Sequence, residues 1–267
     1  MKKTHINFFT EVGAQKPNSI KNKETPCPFC RIDELEEVLD KQDSIILVKN
    51  KYTVLDGAFQ TVLIETDECE GELSNYSKDH LYKVLRFGLE HWNNMLHSGK
   101  YTSVMFFKNH GPLSGGTIRH PHMQIIGLNE VDCLHDFSEN QFKGLTILEK
   151  EGVSFTVSTE PRVGFYELNV IWEKDAELSL FADCIQAGTH FLLNHFHRSC
   201  TSYNLFFYQH NEKTYCKIMP RFVTSPLYLG YGVQQVANNL EGIAQSIKDL
   251  YFKPYENQIF LRSGFLL

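Results

Sequence analysis

No apolar run in this chain approaches the roughly 18 residues of a membrane-spanning helix, so no membrane role is expected. Positive charge is not in excess either: the formal net charge is −6 and the pI about 6.1. Without a basic field nucleic acid is not an expected partner, and a small anionic substrate needs a local basic patch. A secretory leader is absent from the pattern, because the apolar residues after Lys2 and Lys3 are few and are broken by Thr10 and Glu11. The seven cysteines are odd in number and dispersed, which excludes a simple disulfide framework and points to a reducing cytoplasm. What remains is a chain of 267 residues, 42% hydrophobic and 22% charged, enough for one large domain or two small ones.

The chemistry is concentrated in residues 109–124, NHGPLSGGTIRHPHMQ. Strand-like residues lead in (101–108) and out (123–128) of a glycine-punctuated loop. A strand alternates its faces, so His120 and His122 point the same way while Pro121 points away. Proline fixes its own φ and biases His120 to an extended backbone. Two imidazoles on a stiff backbone, beside a loop rich in backbone N–H groups, suit chemistry at phosphorus. Upstream, Cys27-Pro28-Phe29-Cys30 is a C-x-x-C pair, which by itself reads as a zinc half-site or a redox motif. The next segment, 32–39, reads as a short acidic helix without the βαβ setting of a redox motif, which favours zinc.

HPHMQ resembles the His-Pro-His-x-Gln signature of the galactose-1-phosphate uridylyltransferase branch of the histidine-triad (HIT) superfamily. The likeness extends to Asn109, eleven residues before the first histidine, to Gly111, Gly115 and Thr117, and to the paired cysteines, so that three motifs stand in order between residues 27 and 128. The resemblance implies a structural zinc held by Cys27, Cys30 and His120. In the family, Glu-x-Pro-x-His supplies a further histidine ligand. The equivalent register here is Glu65-Thr66-Asp67-Glu68-Cys69, which makes Cys69 the fourth ligand and His80 the alternative. It implies that His122 is a nucleophile that attacks the α-phosphorus of a nucleoside diphosphate compound and carries a covalent nucleotidyl group, its other ring nitrogen donating to a backbone carbonyl. Gln124 stands where hydrolytic HIT proteins carry a third histidine; an amide can hydrogen-bond a phosphoryl oxygen but cannot transfer a proton. Asn109, Thr117 and the amides around Gly115 and Gly116 are the implied substrate contacts. Arg119 is either a further cation at the site or a solvent-facing one, and His110 has no assigned role. The ligand implied is a nucleotide or nucleotide sugar. A homodimer is left open.

The fold class implied is α+β, a HIT-like fold of two degenerate repeats, each an antiparallel sheet with a long helix. Residues 1–26 read as an extended arm whose lysines, Lys16, Lys21 and Lys23, are solvated or help bind phosphate. Residues 27–150 form the first unit and 151–267 the second. In the first, strands are expected over 44–50 and 61–65 with a turn at 52–57. A helix follows over 77–96, with Leu81, Val84, Leu85, Leu89, Trp92 and Leu96 as its apolar stripe. In the second, a strand (164–172), a helix (175–195) and a strand (202–209) repeat the order, and a helix over 234–251 closes the chain. The repeat is worn: 216–221, CKIMPR, is read as standing where the first unit has HPHMQ, and YNLFFYQ carries no histidine pair, so neither a second active site nor a second metal is expected. The family's arginines have no counterpart before Arg31. Its sugar-phosphate segment is only echoed in 225–233, SPLYLGYGV, where Gly232 replaces an acid. These departures keep two other readings open, a non-catalytic zinc-stabilised nucleotide-binding protein and a HIT-type hydrolase or phosphorylase.

Overall fold

The computed structural model describes residues 3–253. Its strands are β1 (Val38–Gln42), β2 (Ile45–Lys49), β3 (Ala58–Ile64), β4 (Ser103–His110) and β5 (His122–Leu128) in the first half. The second half adds β6 (Gly144–Lys150), β7 (Val153–Ser158), β8 (Leu168–Glu173), β9 (Tyr203–His210) and β10 (Lys213–Pro220). All ten join one antiparallel sheet in the order β1-β2-β3-β5-β4-β9-β10-β8-β7-β6. Read inward from either edge the order is the same, so β4 and β9 meet at a pseudo-two-fold axis. There Phe106 pairs with Phe207 and their rings stack with centroids 4.4 Å apart. The two repeats are therefore two halves of one continuous sheet. Residues 144–150 belong to the second half by their pairing with β7, ahead of the boundary at 150 drawn from the sequence.

Five helices complete the described chain: α1 (Thr10–Ala14), α2 (Lys78–Leu96), α3 (Leu178–Phe191), α4 (Pro226–Tyr231) and α5 (Leu240–Ile247). In α2, Ser77 caps the first turn by accepting the His80 N–H, and Leu81, Val84, Leu85, Leu89 and Trp92 are buried. In α3, Phe181, Ala182 and Ile185 take the same part. Both helices lie on the face of the sheet that carries Leu63, Phe106, Met123, Leu205 and Ile218. Each makes its close approach at a glycine: a Cβ on Gly88 would sit 2.7 Å from Phe106, and one on Gly188 would sit 2.6 Å from Ile218. The opposite face of the first half is only partly covered. There Ile46, Val48, Val62 and Ile64 meet Phe29 and Leu35, and a cleft opens beside them. No helix of the described residues is long and apolar enough to cross a membrane.

Three expectations need correction. Residues 32–39 form no helix: a single 3-10 turn (Ile32–Glu34) precedes β1, an exposed edge strand. With Val38 and Leu39 both exposed there is no apolar face to dock a helix, and so short a segment does not hold one unaided. The closing helix begins at Leu240 rather than 234, because Gly232 ends α4 in the left-handed conformation and Asn238-Asn239 do not continue it; a π-helical turn (Lys248–Phe252) extends it. Finally, CKIMPR is not the counterpart of HPHMQ. Ile125 faces Phe106 and Cys216 faces Phe207, so three residues earlier His122 corresponds to Lys213. The counterpart of residues 120–124 is thus 211–215, NEKTY, and the long glycine loop has shrunk to a two-residue turn with Asn211 and Glu212 both at positive φ.

Behind the histidine motif, on the helix face, Lys108 forms an ion pair with Glu65; both side chains are at most 1% exposed. Tyr76 donates to the same carboxylate at 3.1 Å. Removing one partner leaves an uncompensated buried charge, so Lys108→Met is expected to lower the unfolding free energy by about 3 kcal/mol, while adding Glu65→Leu restores most of the loss. Urea denaturation of the two variants checks this; a single variant as stable as the parent contradicts it.

Candidate active site

The loop between β4 and β5 is shaped by its glycines and by the second half. Gly111 has φ +82°, and a Cβ there would overlap the Thr201 carbonyl oxygen, so only glycine fits. Ser114 Oγ donates to the Gly111 carbonyl at 2.7 Å and accepts the Gly116 N–H at 3.3 Å. Leu113 N–H donates to Ser202 Oγ at 3.0 Å. The arm lies alongside: Ile20 N–H donates to the Thr117 carbonyl, and buried Ser19 accepts the Arg119 N–H. The Pro121 carbonyl accepts the Glu65 N–H as the chain enters β5.

His120 and His122 do share one side, where the Phe29 ring meets both edge-on, with centroids 5.9 and 5.4 Å away. They have different work. His120 is fully buried, and its Nε2 lies 2.7 Å from the Thr66 carbonyl, an acceptor only, so Nε2 carries the proton and Nδ1 the lone pair. Nδ1 stands 3.6 Å from Cys27 Sγ and 3.6 Å from Cys30 Sγ. With Cys69 Sγ the four ligand atoms all lie within 4.8 Å of one another. That is the spacing of a tetrahedral metal site with three sulfurs and one nitrogen. Desolvation, with the neighbouring thiols, pushes the Cys30 thiol up to about 12 and raises Cys27 as well. His80, the alternative ligand, lies outside the cluster and packs edge-on against Tyr76.

His122 Nδ1 lies 2.7 Å from the His120 carbonyl. A carbonyl only accepts, so Nδ1 is the protonated nitrogen and Nε2 is left with its lone pair. Burial, reinforced by the charge of Lys108, holds the imidazole down at about 4, which keeps it neutral at physiological pH. His122 lines a cleft of about 430 Å³ together with Gln124, Asn109, Gly115, Gly116 and Thr117. Every substrate-side residue named from the sequence thus borders one cavity, and the four metal-side residues meet in one cluster beside it.

The structure adds Lys16 to this cleft. Its rim cations are otherwise paired with acids: Arg31 with Glu34, Lys49 with Glu37, Lys51 with Glu36. Among the described residues Lys16 has no acidic partner; it is half-buried, which lowers its pKa, and its charge reaches His122. Lys21 and Lys23, the other arm lysines, do not line the cleft. Nor does Arg119, which pairs with Glu70 at 2.8 Å. His110 stacks on Tyr203 on the helix face, where burial takes it to about 4. Composition alone could not separate Lys16 from its neighbours, because α1 decides which lysine turns inward.

Comparison with protein families gives two adjoining matches. Residues 8–131 match the N-terminal domain, and 134–252 the C-terminal domain, of a family described as a domain of unknown function, DUF4931. A DUF4931 family protein of Bacillus cereus ATCC 10987, known by crystal structure, is 41% identical over 81% of this chain and 100% of its own, with a TM-score of 0.75. The chain belongs to the DUF4931 family. Curated proteins give no sequence match. Among solved structures, this DUF4931 chain is also similar to a uridylyltransferase, at 17% identity over 85% of this chain and 91% of that one, TM-score 0.65. An ADP-glucose phosphorylase of Arabidopsis thaliana, solved with ADP-glucose bound, matches at 15% identity over 91% and 94%, TM-score 0.65. The fold of this DUF4931 chain is thus the HIT-like fold that these solved structures share.

Proposed function

We propose that this chain is a nucleotidyltransferase that works through a covalent nucleotidyl-His122 intermediate on a nucleotide sugar or related nucleotide. The observation that carries the reading is the His122 tautomer: Nδ1–H is tied to the His120 carbonyl and the Nε2 lone pair is left for the cleft. Nε2 attacks the α-phosphorus; the P–N bond forms, the bond to the bridging oxygen breaks, and that oxygen keeps the electron pair and leaves with the remaining phosphate. The ring needs no proton transfer for this, because Nδ1 keeps its hydrogen throughout. The Gly115 and Gly116 amides, Asn109 and Gln124 share the negative charge on the phosphoryl oxygens. An amide at Gln124 supplies no proton to a leaving group, which favours an intermediate that waits for an acceptor.

Zinc suits the Cys27, Cys30, Cys69 and His120 donor set; when bound it ties the 27–30 turn and the loop after β3 to the base of the strand bearing His122. Phe29, between two of those cysteines, walls the ring of His122.

The test is incubation with α-³²P-labelled UDP-glucose, ADP-glucose and dinucleoside polyphosphates, followed by a search for acid-labile label on the protein. Label that survives base and is lost in acid supports the reading, and no label with any of them defeats it. Lys16 is assigned to the phosphates. Lys16→Met is expected to raise the Kd for the labelling nucleotide about tenfold, equivalent to one charge-assisted contact of about 1.4 kcal/mol. Titration calorimetry reads it, and an unchanged Kd removes Lys16 from the site.

A further inference from the structure

We propose that Asn204 and Arg221, from the second half, are positioning residues that make Asn109 a hydrogen-bond donor to an anionic phosphoryl oxygen in the cleft. The proposal rests on the nucleotidyl-transfer reading above. A carboxamide at a phosphate site has one helpful and one harmful end: Nδ2 donates, Oδ1 repels.

Which end faces the cleft is fixed from behind. Arg221 only donates, and its Nη1 lies 3.1 Å from Asn204 Oδ1, so that oxygen is the acceptor. Asn204 Nδ2 is then the donor, and it lies 3.0 Å from the Ser114 carbonyl and 3.3 Å from the Lys108 carbonyl, both acceptors only. The same Nδ2 is 2.7 Å from Asn109 Oδ1. Three contacts of fixed sign therefore agree, and among the described residues they leave Asn109 Nδ2 as the free end. Asn109 borders the cleft with His122 and Gly115. The Ser114 carbonyl held by Asn204 directly precedes Gly115, so one side chain orients the amide and anchors the loop.

Asn204 faces Asn109 across the β4–β9 pair, at the seam of the two halves. Among the described residues none beyond Gln124 lines the cleft. The second half, with its own loop reduced to Asn211-Glu212, acts on the site through this seam. Nothing local in the sequence marks either residue, since the contact exists only by register.

Two near-isosteric variants, Asn204→Asp and Asn204→Leu, test it. Both lose the donor and only one adds charge. Initial rates of label transfer to the protein are expected to fall about 30-fold or more in both, as for loss of a transition-state donor. The Kd for UMP or AMP should stay within about threefold, with metal content unchanged. Asn109→Leu should lose a similar factor, and the double variant Asn109→Leu, Asn204→Leu no more, because the two act as one unit. Arg221→Lys, which keeps a donor, should retain most of the rate that Arg221→Met loses. A label rate in Asn204→Leu within about twofold of wild type, or losses that multiply in the double variant, overturns the proposal. A second readout separates it from the transfer reading: the side-chain amide ¹⁵N–¹H signals of Asn109 during titration with inorganic pyrophosphate. Signals that shift in wild type but not in Asn204→Leu support the relay even if wild type never labels; no shift in wild type overturns it.

Discussion

Changing Cys27 and Cys30 together to serine is expected to take the metal content from one zinc per chain to below about a tenth and to lower stability by about 4 kcal/mol or more. The structural basis is the closed cluster: His120 Nδ1 is within 3.6 Å of both sulfurs, and its other nitrogen is already committed to the Thr66 carbonyl. Structural zinc in small finger peptides contributes about 10–16 kcal/mol. Less is expected here, because the sheet and its helices form their own core and only the arm, the 27–30 turn and the loop after β3 depend on the tie. The variant should therefore keep its secondary structure but lose its high-temperature transition and some nucleotide affinity, since Cys27 and Phe29 wall the cleft. Elemental analysis of protein purified without added metal, with circular dichroism melting, measures both. Zinc missing from the wild type, or retained in full by the double variant, contradicts the assignment.

His122→Ala is expected to abolish covalent labelling, a loss of about 10⁴-fold or more, because among the described residues no other imidazole lines the cleft. Nucleotide binding should survive within a few-fold. The proposed phosphate and base contacts, Lys16, Asn109, the Gly115 and Gly116 amides and the apolar wall of Pro17, Leu35 and Val48, stay in place. Such a split between binding and chemistry is what separates a nucleophile from a wall residue. Label retained by His122→Ala would show that the intermediate sits elsewhere.

The parts of this molecule that were legible in sequence are those whose chemistry demands local spacing. The C-x-x-C and H-P-H-x-Q spacings are set by neighbours along the chain, and the stripe of α2 follows from helical geometry. The tautomer of His122 was legible too, since a carbonyl two residues back is within reach of Nδ1. What escaped is what tertiary pairing decides. β1 is exposed at all five positions and shows no alternation; backbone pairing with β2 makes it a strand. The β6–β7 hairpin does carry a readable signal, Glu151-Gly152 between two β-branched runs, and is absent from the expectations above. Equating CKIMPR with HPHMQ failed because the eleven-residue loop 111–121 is cut to the two residues 211–212 in the second half, which shifts the register in a way sequence spacing cannot reveal. The Arg221–Asn204–Asn109 chain is the extreme case: Arg221 meets Asn204 within the second half, and Asn204 reaches Asn109 only across the β4–β9 seam.

The central claim is that His122 forms a bond to phosphorus. The most direct measurement is peptide mapping by mass spectrometry, under alkaline conditions that preserve phosphoramidates, of protein quenched during incubation with each labelling nucleotide. The account predicts a nucleoside monophosphate adduct on the peptide containing residues 120–124, localised to His122 and absent from His122→Ala. An adduct on any other residue, or an unmodified peptide under conditions where the nucleotide is consumed, contradicts it.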